Sequence, residues 1–228
     1  MKKVLIALFI IVFCSIPVSA TTKINQTIWG KTNNTVCLTF DDGYNKRDIT
    51  NILNTLKKND IKCTFFIIGK QLKAYPKLWQ QALSDGHEIC YHTVNHTNMI
   101  NMTDNQIKAD INSWNSIAHK VLGKDYQIPK LIRCPGGNAD NRVLTYLQSL
   151  GYTVIYWSQD TYSSVIKNYP NDPIKNVIPL IINQITKTTK SKSIILFHFN
   201  PYDDGALPQI IDNLILKNFD FNKVSAIL

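Results

Sequence analysis

The chain has 228 residues, 44% of them hydrophobic, enough to bury a full core in a single domain. Lysine and arginine outnumber aspartate and glutamate 25 to 16, a net charge of +9. The basic residues are scattered, with no stripe interleaved with aromatics, which argues against nucleic acid as the partner.

At the N-terminus, Lys2 and Lys3 precede the apolar run Val4 to Phe13, and "SIPVSA" ends in the small residues Ser19 and Ala20. That layout predicts a secretory signal peptide over residues 1–20, cleaved after Ala20. An uncleaved anchor is the rival, but the run is short for a membrane span and Pro17 closes it. Bulky Phe13 before Cys14 argues against lipid attachment. Without Lys2 and Lys3, 23 basic residues face 16 acidic ones, a mature charge of +7. An exported cation of this kind suits an anionic surface such as a cell wall, with no membrane contact after cleavage.

Residues 21–34 form a short polar leader, and from residue 35 onward the chain alternates in type. "TVCLTF" reads as a strand, followed by a helix whose Ile49, Ile52, Leu53 and Leu56 share one face. "KCTFFIIG" and "EICYH" are the next strands. "MTDNQIKADI" starts a helix on a Thr103 cap, with Ile107, Ile111, Trp114 and Ile117 as its apolar stripe. "KLIRC" is a strand, Gly151 closes the helix "LTYLQSLG", and "TVIYWS", "SIILFH" and "KVSAIL" complete the strands. Short strand, helix and short strand in repetition predict an α/β fold with a parallel sheet, buried on both faces, in one domain over residues 35–228. Cys37, Cys63 and Cys90 each lie in an apolar run and Cys134 in "RCPGG"; without a CxxC pair, no structural disulfide is expected.

The polar residues fall at the ends of these strands. Asp41 and Asp42 follow the first, His92 closes the third, Arg133 ends the fourth, Asp160 follows the fifth and His198 closes the sixth. Carboxyl ends of parallel strands converge on one face, where β/α barrels build active sites. His92 and His96, four apart, can present two imidazoles to one metal ion, with Asp42 adding a carboxylate. An HxxxH spacing alone carries little, and "DDG" is also ordinary turn chemistry; the convergence lifts both. A ligand is committed to its ion, so Asp41 is the candidate general base. Arg133 is placed to orient Asp41, His198 to protonate a leaving group, and Asp160 to hold the His198 ring. His87 reads as a turn residue and His119 as a solvated helix position.

"LTFDDG", "GHEICYHTVNH", "IRCPGGN", "YWSQD" and "IILFHF" together resemble, in order and spacing, the polysaccharide deacetylase family, also called NodB homology or carbohydrate esterase family 4. The resemblance spans Val36 to Leu228. It implies a distorted (β/α) barrel of the NodB type that removes acetyl groups from a glycan with a divalent ion, zinc or alternatively cobalt. It implies Asp41 as base, His198 as acid, Arg133 and Asp160 as their partners, and Asp42, His92 and His96 as metal ligands. Gly136 would offer its N–H to the oxyanion, Leu196 would line the acetyl-methyl pocket, and Tyr44 would meet the substrate. Two departures stand out. The family's RxPYG is Arg133-Cys134-Pro135-Gly136-Gly137 here, and its DxxDW is Asp160-Thr161-Tyr162-Ser163-Ser164, without the second Asp and the Trp.

The expected function is therefore deacetylation of a cell-wall polysaccharide, peptidoglycan N-acetylglucosamine first, by a secreted, cell-wall-associated monomer. Xylan O-acetyl esterase and chitin-oligomer deacetylase are alternatives within the family, and a catalytically weak glycan-binding protein is the alternative outside it. A non-haem iron oxygenase also uses two histidines and a carboxylate, but on an antiparallel scaffold.

Overall fold

A computed structural model describes residues 34–228; the expected signal peptide and residues 21–33 of the leader lie outside it. In chain order the elements are β1 (Thr35–Asp42), α1 (Lys46–Lys58), β2 (Thr64–Ile67), α2 (Gly69–Ala74), α3 (Pro76–Ser84), β3 (Glu88–Tyr91), α4 (Asp104–Leu122) and β4 (Leu131–Ile132). Then follow α5 (Asn141–Ser149), β5 (Thr153–Val154), β6 (Gln159–Asp160), α6 (Thr161–Ser164), α7 (Ile174–Thr188), β7 (Ile194–His198), α8 (Pro201–Leu216) and β8 (Asp220–Phe221). The strands are parallel in the order β5-β4-β3-β2-β1-β7-β6, with β8 added to β1. Among the described residues no pairing joins β5 to β6, so the sheet curls into a barrel that stays open at that seam.

Alternation along the strands makes two cores. Leu38, Phe40, Phe65, Ile67, Ile89 and Tyr91 point outward and join the helices' apolar stripes, including Ile49, Ile52, Leu56, Ile107 and Trp114. Cys37, Phe66, Cys90, Leu131, Ile155 and Ile194 point into the barrel and form a smaller inner core. Each such side chain contributes about 1.5–3 kcal/mol on burial, so this double layer holds the strand ends in place. The four described cysteines are buried free thiols. α4 starts on a full capping box, Thr103 with Gln106, and Gly151 just beyond α5 takes a positive φ of 79°.

Two elements differ from the pattern. "KVSAIL" is not a strand: Val224–Ala226 is a single 3-10 turn, and the last strand is Asp220–Phe221. The apolar pair Val224 and Ile227 is spaced by three, which puts both on one side of such a turn, and both enter the inner core. The turn closes the barrel floor: the Val224 N–H donates to Thr64 Oγ1 at 2.8 Å and the Ser225 N–H to Glu88 Oε1 at 3.1 Å. "TVIYWS" pairs only through Thr153 and Val154, after which the chain breaks away, and Asp160 lies on a separate strand, β6.

Candidate active site and metal centre

Register fixes which strand-end side chains share the barrel mouth. Asp41 pairs with His198, while Thr39 and Asp160 both pair with Leu196. Register partners in a parallel sheet point to the same face, so all five side chains look inward. Leu196 is 3% exposed, below His198 on the same strand.

β1 ends by turning sharply. Asp42 takes φ 77°, a left-handed conformation that costs an aspartate about 1 kcal/mol or more, and this swings its carboxylate away from that of Asp41. After β3 the chain bends twice more, with Thr93 at φ 59° and His96 at φ 60°. The bend is tied down by two helices. Gly69 and Lys70 at the start of α2 donate their N–H groups to Thr93 O and Val94 O, both at 3.0 Å. Asp110 of α4 accepts from the Val94 N–H at 2.9 Å and from Tyr91 Oη at 2.5 Å. The result sets His92 Nε2 and His96 Nε2 each 3.4 Å from Asp42 Oδ1.

These residues fit a metal ion. The three ligand atoms lie within 4.8 Å of one another. Two donors bound at about 2.0–2.1 Å in tetrahedral geometry stand about 3.4 Å apart, the separation seen on both histidine–Asp42 edges. Asp42 Oδ1 is buried without a hydrogen-bond partner, an expense an ion would relieve. His92 Nδ1 is 2.8 Å from the Arg133 carbonyl oxygen; donating there leaves Nε2 as a bare acceptor facing Asp42. Burial pushes the Asp42 carboxyl up, but His92, His198 and His96 outweigh it and hold it below the usual range. Burial likewise works against a proton on His92, and Asp41 and Asp42 overcome it, so its pKa is raised. For half-buried His96 the burial effect wins and the pKa is lowered.

Asp41, 4% exposed, is held by a different network. Its Oδ1 accepts from Arg133 Nη1 at 2.8 Å, and the same nitrogen donates to Thr39 Oγ1 at 2.9 Å. Arg133, 1% exposed, also donates from Nε to Ile155 O at 3.2 Å and from Nη2 to Tyr156 O at 3.3 Å. Its guanidinium lies 4.3 Å over the Phe66 ring and 5.5 Å from the Trp157 ring. Asp41 Oδ2 is 3.8 Å from His92 Nε2, next to the ligand cluster but outside it. A buried charge pair so satisfied is rigid, and losing either partner costs about 3–5 kcal/mol.

Around this centre, Gly136 sits in the turn after β4 at φ 63°, exposed, and its N–H donates to nothing among the described residues. Gly137 makes room for Trp157: a methyl there would fall 2.8 Å from the indole. Tyr44, 51% exposed, stands beside Asp42 at the rim, and burial followed by the Asp42 charge raises its phenol pKa.

Asp160 makes other bonds than the expected one to His198. Its carboxylate accepts from Trp157 Nε1 at 3.0 Å and from the Ser163 N–H, and no hydrogen bond or ion pair joins it to His198. The reason is local: Asp160 caps the short helix α6, which claims one oxygen. His87, in the turn before β3, is buried and accepts the Cys63 N–H on Nδ1 at 3.0 Å. Three residues of the site's support escaped the sequence reading: Thr39, Asp110 and Trp157. Thr39 was findable, two positions before Asp41 on the same strand face; Asp110 acts from the separate helix α4, and the indole of Trp157 reaches Asp160 only through the bend after β5.

A family model for polysaccharide deacetylase matches residues 30–155. The peptidoglycan-N-acetylglucosamine deacetylase of Bacillus cereus is 31% identical over 208 residues, covering 88% of this chain and 92% of that protein. The peptidoglycan-N-acetylmuramic acid deacetylase PdaA of Bacillus subtilis is 27% identical over 195 residues, covering 85% of this chain and 71% of that one. Among solved structures, the Bc1960 peptidoglycan N-acetylglucosamine deacetylase superposes with a TM-score of 0.76 at 25% identity, covering 88% of this chain and 90% of that one. With a matching family model over more than half its length and a relative similar from end to end, the chain belongs to the polysaccharide deacetylase family.

Proposed function

We propose that this protein hydrolyses N-acetyl groups of peptidoglycan, N-acetylglucosamine first, releasing acetate and leaving a free amine on the glycan. The observation that carries the reading is the Asp42, His92 and His96 cluster with Asp41 standing beside it, 3.8 Å from His92. Asp42, His92 and His96 would hold a divalent ion, zinc or alternatively cobalt, which when bound supplies Lewis acidity to water and to the acetamide carbonyl.

The chain's own residues account for the proton and charge movements. Asp41 takes the proton of the attacking water, its other oxygen fixed by Arg133. As the water oxygen adds to the carbonyl carbon, the exposed Gly136 N–H donates to the developing oxyanion. His198, the register partner of Asp41 on β7, gives a proton to the sugar nitrogen as the carbon–nitrogen bond breaks. Leu196, below it, lines the space for the acetyl methyl. Tyr44 offers an exposed ring to the sugar.

The signal peptide reading and the mature charge of +7 support secretion and retention at an anionic wall. Among the described residues no helix is long and apolar enough to cross a membrane. Acetate release from peptidoglycan, chitin oligomers and acetylated xylan at matched acetyl concentration tests the substrate. Preference for peptidoglycan is expected; preference for xylan would overturn the substrate while leaving the site chemistry.

A further inference from the structure

With Asp160 engaged by Trp157 and Ser163, the His198 imidazole has no hydrogen-bond partner among the described residues. Its main chain has one. The His198 N–H donates to Asp203 Oδ2 at 2.7 Å, and Asn200 Nδ2 donates to the same oxygen at 2.9 Å. Asp203 sits in the first turn of α8 and is fully buried. Its own N–H is held by Asn200 Oδ1 at 2.9 Å, so backbone and side chain are both pinned. The second oxygen, Oδ1, and the Thr161 hydroxyl are both buried, and Thr161 lies within hydrogen-bonding reach of this carboxylate, which works against the effect of burial on its pKa.

We propose that Asp203 is the positioning residue for His198: the carboxylate fixes the end of β7 through the His198 amide and sets a buried negative charge within reach of the imidazole. This rests on the reading of His198 as the acid that protonates the leaving amine. An acidic side chain in the first turn that reaches back to a preceding N–H is also common helix-start chemistry. Capping, however, needs only an acceptor oxygen, which an asparagine supplies. It does not need a carboxylate of zero exposure, a costly group to keep buried. Burial raises the Asp203 pKa to about 6, so the group is charged at neutral pH, and the ring of His198 lies within its electrostatic reach.

The other charged groups around His198 come from elsewhere. β1 brings Asp41 and Asp42, and the loop after β3 brings His96. α6 contributes only the uncharged Thr161 next to Asp203. α1, packed on α8, brings buried Asp48, whose charge meets Arg47. Among the described residues no other carboxylate bonds to His198, main chain or side chain.

The test compares an amide with an ester that needs no acid. An N-acetylglucosamine oligomer must have its leaving nitrogen protonated, whereas 4-nitrophenyl acetate expels a stable phenolate. Asp203→Asn should bind zinc as the parent does and keep its KM, while amide kcat falls about tenfold or more and ester turnover stays within about twofold. Asp203→Glu, which keeps the carboxylate, should recover part of the loss. Equal loss on amide and ester, or no loss, overturns the proposal. His198→Ala run alongside separates the two assignments. If it loses amide turnover selectively and Asp203→Asn does not, Asp203 is only a cap. If it keeps amide turnover, the acid assignment itself falls. Should Asp203→Asn not fold, Thr161→Val carries the comparison: it removes a hydroxyl that hydrogen-bonds the Asp203 carboxylate and should lower amide turnover alone; unchanged amide turnover counts against the proposal.

Discussion

Adjacent aspartates at the end of β1 divide their work because the backbone turns between them. Asp41 stays in extended register with His198 and faces Arg133, whereas Asp42, at φ 77°, faces the two histidines. The two asparagine variants should therefore fail differently. Asp41→Asn keeps the ligand set, so zinc content by atomic absorption should stay near one equivalent while turnover drops about a hundredfold or more. Asp42→Asn replaces an anionic ligand with a neutral one, so zinc itself should be lost. Equal zinc loss in both would contradict this division. Most of the residues at the barrel mouth were legible because strand-end positions can be counted along a sequence. The bond of Asp203 to the His198 amide was not, because it forms only once the first turn of α8 meets the end of β7, and the capping duty of Asp160 shows only once α6 is seen.

At the scale of elements, the loop carrying His92 and His96 owes its shape to α2 and α4, which hold its carbonyls and amides through Gly69, Lys70 and Asp110. The helices were readable from their apolar spacing, but not this second duty. The final segment was misread for a physical reason: an apolar run of two or three residues is compatible with a strand or a tight turn, and only the barrel floor decides. Two buried groups on different elements also set how stability responds to acid. His87, before β3, has its pKa lowered to about 4 by burial, so it is neutral when folded. Unfolding lets it take a proton below its usual 6.5, and stability falls as pH drops from there toward 4. Asp203, raised from 3.8 to about 6, acts in the opposite sense: between those values the folded state holds the extra proton, and stability falls as pH rises. The Asp203 contribution spans up to about 3 kcal/mol. In Asp203→Asn the Asp203 slope is removed while every other slope stays, so the variant should gain on the parent from pH 4 to pH 6 and hold that gain above. Denaturant titration across that range checks this; a constant difference would contradict it.

For the whole molecule, the parallel sheet, its curl and its single domain follow from the alternation of apolar runs and amphipathic stretches, and the open seam between β5 and β6 does not. That seam comes from strands two residues long, which sequence patterns do not resolve. The barrel brings residues from three strands and one loop to a single mouth: a metal-ligand cluster beside a buried aspartate–arginine pair, opposite a histidine. The central claim is that this mouth is a metal-dependent amidohydrolase site. Its most direct test is acetate release from purified peptidoglycan by the intact protein, first stripped with a chelator and then reloaded with one equivalent of zinc. Loss of activity on stripping and its return on reloading, with no return in His92→Ala, is the predicted result. Full acetate release by the stripped protein would contradict it.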